Sequence, residues 1–332
     1  MVVLVVYGVS VITFLLSRVI PGNPVMMWVG AKPRKEQIEW ATKELGLDKP
    51  LVVQYLVYVK NLAKGDLGVS LRTKRNVSDD LSRCYAATFE LVAVAMVLTF
   101  LVGIPMGIIS ATHKNSFVDH INRAVSISGV AMPIFWLGML LQLILHGQLR
   151  LAPLQGRIGS EIIANHPIAM KTGFYLVDSL ITGNWPALWS ALSHILLPAI
   201  TLSFASLAVI TRISRSCMLE VLGEDYIQTS RAYGVSEKII NYKYALKNAL
   251  IPTVTVIGLD MGLLLGGSFI VESIFDWPGL GRYAVLSIIT KDFPGIMGTT
   301  VLYALVYVSV NLLVDFLYFF IDPRIKIPTA KN

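Results

Sequence analysis

Apolar and polar positions are sharply segregated along this chain, in long uncharged runs broken by charged stretches rich in Gly and Pro. Six such runs stand out: 1–20, with Arg18 near its end, 91–111, 124–145, 191–211, 249–271, which carries Asp260, and 295–321, with Asp315 in its last turns. At 1.5 Å of rise per residue, about 20 apolar residues cross a hydrocarbon core of about 30 Å. Each run is expected as a spanning helix, so the fold class is all-α and polytopic. Between the runs the pattern changes. Stretches 36–45 and 51–62 read as short helices, the second opened by Pro50. Residues 51–59 have amphipathic spacing and are too few to span. The segment 147–190, rich in Gly and Pro, is expected to be irregular.

Composition agrees with the pattern. The chain has 332 residues, 55% hydrophobic and 15% charged, whereas an average soluble domain carries about 25% charged residues. A net charge of +7 does not indicate nucleic acid, because the basic residues flank apolar runs and are not clustered with aromatics on a soluble face. Their distribution fixes an expected orientation instead. With both termini cytoplasmic, the inner segments hold Lys114, Arg123, Arg212, Arg215, Arg231, Lys238, Lys243, Lys247, Arg324, Lys326 and Lys331. The two shorter outer loops hold only Arg150, Arg157, Lys171, Arg282 and Lys291. That bias follows the positive-inside rule, and the long outer stretch 21–87 translocates regardless of its charge. The first run lacks a basic leader region and is followed by Pro21-Gly22-Asn23-Pro24 in place of a small-residue cleavage site, so it is expected to stay as a helix. Cys84 and Cys217 fall on opposite sides of the membrane in this scheme, and no Cys/His cluster suggests a metal site.

The segment 214–248 carries the most information. Residues 223–234 read Gly-Glu-Asp-Tyr-Ile-Gln-Thr-Ser-Arg-Ala-Tyr-Gly, and a second helical stretch ends Ala245-Leu246-Lys247-Asn248-Ala249-Leu250-Ile251-Pro252. This is helix, turn, helix: Gly234 supplies the positive φ of a C-terminal cap, and Ser236 is placed to cap the next helix. Ile239, Tyr242, Leu246 and Leu250 are expected on one face, beside Lys243 and Lys247.

These residues resemble the conserved cytoplasmic loop of binding-protein-dependent ABC permeases of the dipeptide, oligopeptide, glutathione and nickel branch, which reads D-Y-x-x-T-A-R-A-x-G and then H-A-L-x-N-A-L-x-P. Asp225, Tyr226, Thr229, Arg231, Ala232, Gly234, Ala245, Leu246, Asn248, Ala249, Leu250 and Pro252 match. Ser230 replaces Ala and Tyr244 replaces His. The resemblance covers nearly the whole chain, through the motifs at 21–24, 45–55, 65–70, 129–138, 277–282 and 322–324. Asp315 matches the family; Asp260 stands where a small or uncharged polar residue is expected.

The resemblance implies a first helix at 1–20, an extracytoplasmic cap at 21–87, a five-helix importer domain at 88–321 with its coupling hairpin at about 214–248, and a cytoplasmic tail at 322–332. It implies a permease subunit in the plasma membrane that forms half of a pathway for a small solute, with di- or oligopeptides first and nickel chelate, glutathione or oligosaccharide as alternatives. The implied partners are a second permease, two ATP-binding subunits and an external solute-binding protein, with lipid around them and no nucleic acid. The chain has no G-x-x-x-x-G-K-[ST] loop, so ATP and Mg are expected on the partner subunits. This chain itself is expected to bind no cofactor and to be no enzyme. Coupling is assigned to Asp225, Tyr226, Thr229, Ser230, Arg231, Ala232, Gly234, Leu246, Asn248 and Pro252, with Arg231 a candidate for pairing with a partner's acid.

Gly258, Asp260, Gly262, Gly266 and Gly267 are candidates for lining the pathway. The glycines also suit close helix packing, and Asp260 also suits a buried structural carboxylate. Pro105, Pro133 and Pro198 are candidate kinks. A secondary transporter would leave the inner hairpin unexplained and usually shows internal repeats. A membrane hydrolase would need paired groups at one depth, and Asp260 and Asp315 fall near opposite faces.

Overall fold

The structure, a computed structural model, describes residues 2–19, 24–29, 33–44 and 46–321. The 322–332 tail, most of the 21–24 motif and the Asp315 side chain lie outside what it describes. In chain order the helices are α1 (Val2–Val19), α2 (Pro24–Val29), α3 (Lys35–Glu44), α4 (Leu51–Ala63), α5 (Val77–Leu98), α6 (Ile104–Thr112), α7 (Phe117–Ala131), α8 (Ile134–Leu141), α9 (Ser160–Asn165), α10 (Tyr175–Ile181), α11 (Trp185–Leu222), α12 (Asp225–Ala232), α13 (Glu237–Ile239), α14 (Leu246–Ile274), α15 (Leu280–Ile289) and α16 (Phe293–Ile321). Among the described residues the only pairing of β type is an isolated bridge between Val69 and Asn76. The chain is all-helical, as the apolar periodicity requires.

Among the described residues, three helical stretches, 77–112, 185–222 and 293–313, are long and apolar enough to cross a membrane. Two bent pairs, α7 with the α8 stretch (111°) and 237–262 with 264–274 (50°), raise that number to five when each pair counts as one span. Pro133 sits at the sharper bend, where it ends α7 by denying the next turn a backbone donor. Pro105 follows a π-helical turn at Thr99–Gly103. The extra residue of such a turn accommodates a ring that an unbroken α-helix resists. Pro198 lies inside α11, which continues past it.

The residues fall into two compact units, Met1–Thr88 with Pro278–Val308, and Phe89–Trp277 with Ser309–Asn332. In the first, α4 packs its Tyr55 and Tyr58 on Phe14 of α1, with ring centroids 5.3 and 6.0 Å apart. The Ser10 and Tyr55 hydroxyls lie 3.0 Å apart. Away from that contact α4 leaves Val52 and Leu56 exposed, and the expected short helix is present. The turn after it docks through a buried carboxylate. Asp292 accepts from the Ser70 hydroxyl and, at 2.8 Å, from the Leu71 N–H. Thr88 of α5 accepts the first free N–H of α15, that of Leu280, at 2.8 Å. Val77, Leu81, Leu280 and Tyr283 form the apolar cluster beneath.

In the second unit α11 is the central post, packed by α6, α7, α8, α10 and α14. Contact is close because glycines face it. A Cβ on Gly107 would sit 2.5 Å from Ser214 Cβ, and one on Gly129 2.6 Å from Ala208 Cβ. Segment 147–190 is more ordered than its composition suggests, because two buried charges organise it. Arg157 bonds Glu90 and the Gly173 carbonyl, its guanidinium 3.7 Å from the Tyr175 ring. Asp178 gathers the N–H groups of Lys171, Thr172 and Gly173 at 2.9 to 3.2 Å. Burial alone would raise the Asp178 carboxyl; those hydrogen bonds outweigh it and hold the group below its usual range.

Candidate functional site

The segment singled out in the sequence folds as a hairpin continuous with two long helices. α11 ends at Leu222, the Gly223 N–H closes on the Glu220 carbonyl at 3.0 Å, and α12 begins two residues later. α12 stops in a paired cap: the Gly234 N–H bonds the Arg231 carbonyl at 2.9 Å and the Val235 N–H the Ser230 carbonyl at 3.1 Å. That geometry puts Gly234 at φ +76°, a conformation glycine adopts without penalty. Ser236 occupies the N-cap position of α13, but its side chain makes no capping bond.

The chain then makes a π-helical turn, Ile240–Ala245, and enters α14 without a break. The turn changes which residues are buried. Ile239 and Tyr242, expected to share a face with Leu246 and Leu250, are exposed, and those two leucines are half-buried. The buried positions are Ile240, Ala245 and Ala249, whose first spacing of five is that of a π turn. With Ile227 of α12 they close over Met218 of α11 and over Ile108 and Ala111 of α6. Ile227 and Ile240 are fully buried. The hairpin is thus pinned by apolar side chains to the ends of two long helices.

Its other side is open. Tyr226, Tyr233, Ile239, Tyr242 and Tyr244 are exposed, with Lys238, Lys243 and Lys247 among them. Exposed apolar groups concentrated with charges in this way mark a surface suited to protein contact. The remaining assigned residues shape it. The Asn248 amide donates to the Tyr226 phenol at 2.7 Å, tying the two arms together. The Thr229 and Ser230 hydroxyls donate to the carbonyls of Asp225 and Tyr226, both at 2.8 Å. Ala232 is exposed, Leu246 packs beside the pinning cluster, and Pro252 lies inside α14. Arg231 pairs within the hairpin, with its Nε 2.7 Å from Glu237 Oε1. The guanidinium holds the Glu237 carboxyl below its usual range.

The candidate pathway residues do not form one stripe. Asp260 is buried with Ser206 of α11 beside its carboxyl, and a Cβ on Gly267 would touch Leu202 of α11 at 3.4 Å. Those two positions, seven apart, face the central post. Gly266 is exposed, with nothing within 4 Å of its Cβ direction, and Gly258 and Gly262 are half-buried before the 50° bend. A buried charge that sequence reading missed stabilises the post near the hairpin. Asp119 accepts from Arg215 Nε and Nη2, at 2.7 and 2.9 Å, and from the Ser110 hydroxyl. An acid just after an N-capping Ser116 was the available signal; its partner lies 96 residues away.

Helices of membrane length and apolarity, with a hairpin joining α11 to α14, define a polytopic membrane component. Residues 103–327 match the family described as binding-protein-dependent transport system inner membrane component, and residues 1–92 its N-terminal counterpart. A probable D,D-dipeptide transport system permease protein of Escherichia coli is 46% identical over 97% of this chain and 94% of its own length. A dipeptide transport system permease protein of Alkalihalophilus pseudofirmus is 42% identical over 97% of this chain and 96% of its own. A glutathione transport system permease protein of Escherichia coli is 36% identical over 96% of this chain and 94% of its own. The chain belongs to the binding-protein-dependent transport system inner membrane component family. It is a multi-pass plasma-membrane permease that works with a solute-binding protein and other transporter subunits.

Proposed function

We propose that this permease forms half of the translocation pathway of an ATP-driven dipeptide importer and that the 223–252 hairpin transmits ATPase closure to it. The observation that carries the coupling role is the hairpin's two-sidedness. One side is locked by Ile227 and Ile240 onto α11 and α6, and the other presents tyrosines and lysines to a partner. A partner's push there moves α11, α6 and α14 together, because packed cores shift between discrete arrangements and resist gradual deformation. In this reading six helices span the membrane, α1 among them, and the hairpin and both termini are cytoplasmic. Two ATPase subunits carry ATP and Mg, a second permease completes the pathway, and the solute-binding protein docks outside. Dipeptides are favoured over glutathione because relatives named for dipeptides are 41–46% identical and the one named for glutathione 36%.

Uptake of a labelled dipeptide by the reconstituted transporter tests this reading. Gly234→Val forces a β-branched residue to positive φ at a cost of roughly 1 kcal/mol or more. Ala232→Asp places a charge on the docking face. Both variants are expected to insert normally, to lose most uptake and to lose stimulation of ATP hydrolysis by loaded binding protein. Near-normal uptake in both would refute coupling through the hairpin. Competition by glutathione, but not by L,L- or D,D-dipeptides, would refute the substrate assignment.

A further inference from the structure

Helix α4 is apolar on its exposed side as well as on its packed one. Tyr55 and Tyr58 turn to Phe14 of α1, within the same unit. Away from them Val52, Val53, Leu56 and Val57 are exposed, by 39% to 70%. At 3.6 residues per turn these four share one face of the helix. A short helix bathed in water keeps polar residues on its outer face, whereas one that is apolar all round is enclosed by other apolar matter. A contiguous exposed patch of this kind marks a contact with protein or with membrane.

Depth and charge choose the membrane. Phe14 stands about 7 Å, and Ser10 about 13 Å, back from the Val19 end of α1. α4 meets α1 at both positions, through the ring contacts to Phe14 and through the Tyr55 and Ser10 hydroxyls, 3.0 Å apart. With α1 a span, the reading on which this inference rests, the crossing lies beneath the lipid headgroups. Interfacial helices bury their apolar faces to a similar depth, about 5–10 Å. A partner protein docking from water would account for the apolar patch and not for that depth. The charges suit lipid as well. α4 contains no acid, and Lys49 just before it and Lys60 and Lys64 at its end are exposed. Lysine stems lie along apolar surface while their ammonium groups reach outward to phosphates.

We propose that α4 is embedded in the outer leaflet of the membrane, with Val52, Val53, Leu56 and Val57 against acyl chains and the three lysines at the headgroups. The segment after α1 is then held to the bilayer along α4 as well as by the span itself.

The test places nitroxide labels on the complete transporter in phospholipid nanodiscs, freed of other reactive cysteines, Cys84→Ser and Cys217→Ser included. Val53→Cys and Leu56→Cys report on α4. Glu161→Cys, at an exposed polar position of α9, gives the value for water, and Ile12→Cys, at an exposed position of α1, reports on the span. Labels on α4 are expected to collide freely with oxygen, which dissolves in hydrocarbon. Their collisions with a water-soluble nickel chelate should be roughly tenfold fewer than at Glu161, because a polar solute is excluded from acyl chains. Nickel collisions within about twofold of those at Glu161 would put α4 in water and overturn the proposal. Labels shielded from oxygen and nickel alike would also overturn it, since a protein would then cover the face. Free access of nickel to Ile12 would refute α1 as a span, and the labels at Val53 and Leu56 would still decide by themselves whether α4 lies in lipid.

Discussion

The hairpin and the turn at 70–76 solve the same problem, anchoring a short segment between helices, with opposite chemistry. The hairpin is held by methyl groups: Ile227 and Ile240 buried against Met218, Ile108 and Ala111. The turn at 70–76 is held by a buried carboxylate, Asp292, that accepts from Ser70 and Leu71. Apolar anchoring is non-directional and tolerates small shifts of the attached helices. A buried hydrogen-bonded carboxylate tolerates none, because each lost bond strands a desolvated group. The first kind of joint suits the moving lever proposed above, and the second suits a frame that holds still.

Substitutions should separate the two designs. The largest effect is expected for Asp292→Ala, which strands the Ser70 hydroxyl and the Leu71 N–H in a buried site; at about 1–3 kcal/mol per group the loss should reach several kcal/mol. A marked drop in the purified protein's melting temperature is the readout, and an unchanged one would show the turn to be held otherwise. Ile227→Ala should cost less, roughly 2 kcal/mol, and should impair uptake more than it lowers melting, because the lever loosens while the frame stays. Equal damage to both properties would erase the distinction. Next comes acid. The depressed Asp178 carboxyl contributes stability that is present above its unfolded value, near about 4, and is lost as pH falls through the lower folded value. Order in 171–184 should therefore persist at pH 5 and decline only below that unfolded value, as hydrogen exchange would report; loss already at pH 6 would contradict it. Smallest is Arg231→Gln. Its ion pair with Glu237 lies on the surface, where such pairs contribute little, so melting should not measurably change.

The two regions also differ in how legible they were. The hairpin's turn and the positive φ of Gly234 followed from a local pattern, because each depends on neighbours a few residues away. The buried face of its second arm did not. A single π turn between Ile240 and Ala245 shifts the register by one residue, and a 3.6-residue period places Ile239 and Tyr242 where Ile240 belongs. Hydropathy located the long apolar runs, yet it says nothing of Glu90 with Arg157, 67 residues apart, or of Ser70 with Asp292, 222 apart. Segment 147–190 looked irregular for the same reason: its order comes from Asp178 and Arg157, whose roles exist only once the chain is folded. The candidate pathway residues were readable as small or acidic positions in α14, but which of them face α11 depends on a bend that lies among them.

Gly107 and Gly129 have a mechanical consequence. At both, the facing backbone lies so near that a methyl group would collide, with the Thr211 carbonyl at 2.8 Å in one case and the Phe204 carbonyl at 3.1 Å in the other. Such notches work as keyways. A helix seated in one cannot spin about its own axis without lifting off, so α6 and α7 are left few independent degrees of freedom relative to α11. In the coupling proposed above, force entering at the tip of α12 is therefore not spent twisting single helices. It reappears as rocking of a block, and the stroke delivered at the far end scales with the block's length.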